Sequence, residues 1–328
     1  MVALRHRNLK LFTIALAFFA ITITSFLLNY TQNSVLMTWN PFVRFMASMR
    51  SPCVSKTEVS PWFDERFNLT ASPLLTKQSN MLSESTYKWW MRLQGEKNPL
   101  DINLATEELF KVIPGETNLV ERSPYHCRTC AVVGNSGNLK ESDYGPDIDS
   151  HNFVFRMNHA PTARFERDVG NKTTHHFVYP ESVPELPENV SMILIPFKTL
   201  DLQWVVSALT SGTINFTYAP VPRRIKVTKE KILVYHPEFM KYVYDRWLMH
   251  HGRYPSTGLL SVIFALHICD KVDLYGFGAD SKGNWHHYWE NNPSAGAFRQ
   301  TGVHDGDFEA DIIGNLTSIK KINIYRGR

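Results

Sequence analysis

The property of this chain that most restricts its fold is an alternation that begins near residue 130. Apolar runs of strand length lie at 131–134, 152–157, 175–179, 192–196, 231–235, 271–275 and 321–325, with helical stretches at 200–209, 238–249 and 257–269. Such alternation predicts an α/β fold with a mostly parallel sheet covered by helices on both faces. Ligands of open parallel sheets gather at the carboxyl ends of strands. Three loops fall there: Gly134-Asn135-Ser136-Gly137-Asn138, Met157-Asn158-His159 and Tyr275-Gly276-Phe277-Gly278. The first is a glycine-and-amide turn of the kind that brings backbone N–H groups close to a phosphate or sugar. Its spacing fits neither G-x-G-x-x-G nor G-x-x-x-x-G-K-[ST], so alone it is a weak signal.

The N-terminus sets the compartment. Residues 11–28 are uncharged and mostly apolar, preceded by Arg5, His6, Arg7 and Lys10. A helix of that length spans roughly 27 Å, close to a thin bilayer core. The basic tip (residues 1–10) predicts a cytosolic tail and a lumenal remainder. No small-x-small cleavage site precedes Asn29-Tyr30-Thr31, so an uncleaved type II anchor is favoured over a signal peptide. Residues 29–60, with Pro41 and Pro52 and no clear period, read as a stem, and 61–328 as the lumenal domain. From Trp62 to Phe110 the pattern is helical.

Sequons at Asn29, Asn68, Asn171, Asn189, Asn215 and Asn315 agree with a lumenal chain, Asn29 lying too near the membrane to be modified. The four cysteines, Cys53, Cys127, Cys130 and Cys269, allow three pairings in an oxidising compartment. Cys127 and Cys130 can be read as a redox pair or half a zinc site; with two widely spaced companions, structural disulfides are the favoured reading. A net charge of only +4, with no basic run beyond the tip, argues against nucleic acid as a partner.

The run Tyr254-Pro255-Ser256-Thr257-Gly258 opens an apolar helix, with Ser256 or Thr257 a good N-cap. The helix end would offer N–H groups and positive dipole to an anion, although capping alone also accounts for the run. Trp285-His286-His287-Tyr288-Trp289 and His304-Asp305-Gly306-Asp307-Phe308-Glu309 read as exposed loop chemistry. Asp305-Gly306-Asp307 and Asp147-Ile148-Asp149 are D-x-D pairs of the type that holds a divalent ion, which leaves a metal reading open at this point. Histidine is the natural general base for a sugar hydroxyl near neutral pH; His304 suits that role, with Glu309 as a candidate to orient its ring.

Taken together these pieces resemble the animal sialyltransferases. The stretch 130–179, with Val-Val-Gly-Asn-Ser-Gly-Asn and Phe-Arg-Met-Asn, resembles the large sialylmotif. Pro255-Ser-Thr-Gly through Cys269-Asp-Lys-Val-Asp-Leu-Tyr-Gly-Phe-Gly resembles the small one, His286-His-Tyr-Trp the third, and His304-x4-Glu309 the very small one. Ser60-Pro-Trp-Phe-Asp-Glu-Arg-Phe and the run from His286 to Phe298 further resemble the α2,3-linking group that acts on Galβ1-3GalNAc. The resemblance covers roughly residues 60–328.

It implies a variant GT-A, Rossmann-like fold and inverting transfer of sialic acid from CMP-sialic acid. It assigns the donor to Asn135, Ser136, Asn158, Ser256, Thr257, Gly258, Gly278 and Trp285. His287 would assist the leaving phosphate, and His304 would take the proton from galactose O3. Tyr218 and Tyr254 would line the donor–acceptor junction and Gln94 the acceptor side. It implies no metal or other cofactor, so the D-x-D reading falls, and disulfides Cys53–Cys127 and Cys130–Cys269. Its partners would be CMP-sialic acid and glycoproteins, with glycolipids a further acceptor class. Its place would be the Golgi membrane, with a soluble form released on stem cleavage. The group commonly carries a cluster of stem cysteines, of which this chain has only Cys53.

Overall fold

The structure, a computed structural model, describes residues 60–117, 119, 127–279, 286–291 and 302–327. The expected tail, the anchor at 11–28, the stem before Ser60, Asn29 and Cys53 lie outside the described residues. Among the described residues, no helix is long and apolar enough to cross a membrane.

Eight strands form one sheet: β1 (Leu74–Leu75), β2 (Thr129–Val133), β3 (Phe153–Met157), β4 (His175–Val178), β5 (Ser191–Leu194), β6 (Ile232–Tyr235), β7 (Lys271–Tyr275) and β8 (Asn323–Tyr325). Their order is β1-β6-β5-β4-β3-β2-β7-β8. Every pairing is parallel except that of the short edge strand β1 with β6. From β2 the chain steps one way to β3 and onward, then returns to place β7 on the other side of β2. The carboxyl ends of β2 and β7 therefore flank the point where strand order reverses, the crevice in which open α/β sheets bind ligands.

Helices packed with the sheet include α1 (Glu84–Trp90), α2 (Ile102–Val112), α3 (Thr199–Leu209), α4 (Pro237–Tyr242), α5 (Thr257–Ile268) and α6 (Gly306–Ser318). The strands alternate between two apolar layers, as their side-chain period of two requires. Cys130, Val132, Phe155, Phe177 and Ile193 face a layer built on α5, in which Leu259–Ile268 are all buried. Ala131, Val133 and Val154 turn to the opposite face. Val178, Met192 and Leu194 do the same beside Trp204 and Val205 of α3 and Leu109 of α2. A helix apolar all round must be enclosed, which accounts for the lack of amphipathic period in α5. The Cys130–Cys269 disulfide joins β2 to the C-cap of α5, closing a separation of 139 residues.

Three expectations need correction. The helical reading of 62–110 is interrupted by β1, and the helices there are Pro61–Asp64, α1 and α2. The expected helix 238–249 is α-helical only to Tyr242 and continues as a π-helix over Val243–Trp247. The segment from Gly306 is the helix α6, not a loop. Asp305 caps it through Phe308 N, and Glu309, Ile312, Ile313 and Leu316 form its buried side. The five described sequon asparagines, Asn68, Asn171, Asn189, Asn215 and Asn315, are all exposed.

Candidate active site

The turn after β2 is set by the close passage of two backbones. Gly134 N donates to Tyr275 O at 2.7 Å and Ser136 N to Gly276 O at 3.1 Å. A Cβ on Gly134 would lie 2.3 Å from Gly276 O, and Gly276 itself has φ +70°. Both positions require glycine, one for space and one for backbone conformation. The segment 286–288 then adds to the turn: Gly137 N donates to His286 O at 2.7 Å and Tyr288 N to Asn135 O at 3.0 Å. These bonds hold His287 beside Ser136. The His287 ring stacks on Trp289 at 4.4 Å, and its Nδ1–H donates to Glu290 at 3.0 Å, so that Nε2 is the ring nitrogen this carboxylate does not engage.

Asn158, after β3, has φ +57°, a conformation asparagine tolerates better than most residues. Its N–H donates to Phe177 O, and its carbonyl accepts from buried His176 Nε2 at 2.6 Å. Burial holds the His176 imidazole down at about 4, so it is neutral near pH 7. Asn135 Nδ2 donates to Met157 O at 3.2 Å, whereas the buried Oδ1 atoms of Asn135 and Asn158 find no protein partner. Two orphaned acceptors in one cavity are what a ligand bearing donors would satisfy.

Ser256 caps α5, its Oγ accepting from Leu259 N at 3.1 Å. It also faces Glu309, whose carboxylate accepts from Ser256 N at 2.8 Å and from Ser256 Oγ. Capping and site-building are thus one arrangement. Glu309 does not take the expected role of orienting His304. The His304 Nδ1–H donates instead to the carbonyl of Tyr254 at 2.9 Å, and the Tyr254 ring meets the imidazole edge-on at 5.0 Å. Burial lowers the His304 pKa from the ordinary histidine value, so the ring stays a base at a lower pH than a solvated histidine would.

The turn after β2, Asn158, Ser256, Glu309, Tyr254, His287 and His304 line one cavity of about 680 Å³. It brings together Gln94, Asn135, Ser136, Asn158, Tyr218, Tyr254, Ser256, Thr257, Gly258, Gly278, His287 and His304, twelve of the thirteen expected site residues. Trp285, the thirteenth, lies outside the described residues. Tyr288, expected as an exposed aromatic, is 2% exposed and donates to Pro161 O. The D-x-D aspartates at 147 and 149 are committed elsewhere: Asp147 accepts from Tyr275 OH, and Asp149 from the backbone N–H groups of Asn171 and Lys172. Among the described residues, no group of three or more His, Cys, Asp and Glu side chains is arranged to hold a metal ion.

The pattern of glycosyltransferase family 29 (sialyltransferase) matches residues 74–321. This chain belongs to that family. The family member CMP-N-acetylneuraminate-beta-galactosamide-alpha-2,3-sialyltransferase 1 of Gallus gallus is 61% identical, covering 100% of both chains. The Homo sapiens protein of the same name is 59% identical over the same coverage. A crystal structure of a mammalian sialyltransferase in complex with Gal-beta-1-3GalNAc-ortho-nitrophenol is 64% identical, with a TM-score of 0.79. It covers 85% of this chain and 98% of that one. This chain is a sialyltransferase by family, and the cavity at its strand ends is where the family's chemistry has to be sought.

Burial raises the Glu309 carboxyl to about 7, although its bonds from Ser256 oppose the rise. In the unfolded chain the group titrates near 4.5, so the fold holds a proton that the unfolded state has released between those values. Its contribution to stability is therefore complete below pH 4.5 and lost as pH rises through about 7. Melting temperatures of the wild type and Glu309→Gln across this range should differ increasingly in the variant's favour as pH rises. A difference that stays flat would contradict the assignment.

Proposed function

We infer that this enzyme transfers sialic acid from CMP-sialic acid to galactose O3 of Galβ1-3GalNAc on O-glycans, with glycolipids bearing the same disaccharide as a further acceptor class. The observation that carries the reading is the meeting of His304 with both nucleotide-type loops in one cavity, Gln94, Tyr218 and Tyr254 completing its wall. The names and the acceptor complex of its relatives support the same donor and linkage.

In this mechanism the turn at Asn135-Ser136 and the loop at Asn158 hold CMP, their orphaned amide oxygens accepting from the nucleotide. The first turn of α5, at Ser256-Thr257-Gly258, lies beside them with its positive dipole end. His304, its Nδ1–H committed to Tyr254, presents Nε2 as the base. That nitrogen takes the acceptor O3 proton while O3 forms a bond to the anomeric carbon C2. The bond from C2 to the phosphate oxygen breaks on the opposite face, which inverts the configuration. The departing CMP keeps the bonding electron pair, and a hydrogen bond donated by His287 meets the new charge. A single phosphate needs less neutralisation than a diphosphate, so histidine and a helix N-terminus serve without an ion.

His304→Ala should reduce transfer about 1000-fold, within the range of roughly 100- to 10,000-fold for one acid–base group, while isothermal titration shows CMP affinity nearly unchanged. Transfer that persists near wild-type rate would remove His304 from the reaction. Activity should also survive excess EDTA; strong inhibition reversed by manganese would restore the metal reading.

A further inference from the structure

Lys198 lies in the turn between β5 and α3, at the carboxyl end of a sheet strand, and is 1% exposed. A lysine ammonium is almost never enclosed unless it is paired. Here its Nζ lies 2.7 Å from Asp201 Oδ1, 2.7 Å from Gln94 Oε1 and 3.9 Å from Glu181 Oε1. Each partner leads elsewhere. Asp201 accepts from Phe197 N at 2.8 Å, which fixes the turn itself. Glu181 accepts from Tyr218 N at 2.8 Å and from Thr217 Oγ1, which anchors the segment bearing Tyr218. Gln94 shares its loop with Glu96, whose carboxylate accepts from Thr199 Oγ1 at 2.8 Å, so the Gln94 loop is clamped to the start of α3.

The contact with Gln94 has a chemical consequence. An ammonium has donors and no acceptor, so the amide atom that meets Lys198 must be the oxygen. The Gln94 amide is thereby held in one of its two flips, with its NH2 group left to donate to a bound molecule. Gln94, Glu181 and Tyr218 all line the cavity, whereas Lys198 stands behind them.

We propose that Lys198 is a positioning residue for the acceptor sugar: it locks the Gln94 amide with its NH2 toward a sugar hydroxyl and, through Glu181, braces the Tyr218 segment. The proposal rests on the reading of this cavity as a site for a galactose-containing acceptor. It assigns Lys198 no part in donor binding.

The test compares the wild type with Lys198→Met, Lys198→Met/Asp201→Asn, Gln94→Glu, Gln94→Ala and Gln94→Ala/Lys198→Met. Each is assayed for the KM of a Galβ1-3GalNAc acceptor, the KM of CMP-sialic acid, and acceptor-free hydrolysis of CMP-sialic acid. Lys198→Met should raise the acceptor KM about tenfold, the ratio lost with one positioned hydrogen bond. Donor KM and hydrolysis should stay at wild-type values. Gln94→Glu, which keeps an oxygen for Lys198 but has no NH2, should raise the acceptor KM similarly. Combined with Gln94→Ala, Lys198→Met should add less than it does alone.

Additive penalties, or an unchanged acceptor KM in Lys198→Met, would overturn the proposal. So would a raised KM for CMP-sialic acid in both Lys198→Met and Lys198→Met/Asp201→Asn, which would make Lys198 a residue of the core. Failure of the wild type to use the acceptor would instead sink the functional reading, and the two failures are distinguishable.

Discussion

The contact on which this molecule depends is the one between Gly134 and Gly276. Two parallel strands, β2 and β7, run side by side next to the edge strand β8, and their loops leave the sheet at the point of strand-order reversal. No Cβ fits at Gly134, because Gly276 O occupies the space. That passage turns the chain into Asn135-Ser136-Gly137, and the turn in turn accepts the segment bearing His287. This end of the cavity is thus built from backbone first, with side chains placed by it.

The other end is built by joining helix starts. Ser256 begins α5 and Glu309 lies in the first turn of α6, and their mutual bonds tie the two starts together. Tyr254 and His304 stand just ahead of those helices and share the Nδ1–carbonyl bond that fixes the imidazole tautomer. A carboxylate near two helix N-termini sits where the dipoles favour negative charge, yet burial keeps its pKa high. The same enclosure lowers the His304 pKa. Desolvation therefore favours the neutral form of both groups, and for His304 that is the form able to accept a proton.

Much of this was legible in the sequence because it is periodic or carried by motifs. Apolar runs located seven of the eight strands, and the rule that ligands sit at strand carboxyl ends singled out the loops at 134–138, 157–159 and 275–278. The two-residue β1 has too few residues to show any period. The start of α6 was misread because Asp305-Gly306-Asp307 suggests a loop, although Phe308, Ile312, Ile313 and Leu316 carry the helical spacing that would have revealed it. Glu309 was noticed for its proximity to His304 in sequence; its partner Ser256 is 53 residues away, a contact no local pattern records. The strand-end rule applied to β5 would also have picked out Lys198, which gives no signal as a lone lysine between Phe197 and Thr199.

The central claim is that this one cavity joins CMP-sialic acid to galactose O3 of Galβ1-3GalNAc with inversion. NMR analysis of the product formed by the full-length enzyme tests it most directly, with Galβ1-3GalNAc and Galβ1-4GlcNAc acceptors offered in parallel. The account predicts an α2,3-linked product of inverted configuration, formed preferentially on Galβ1-3GalNAc. A product linked at another galactose hydroxyl, retention of the donor's configuration, or preference for Galβ1-4GlcNAc would contradict it.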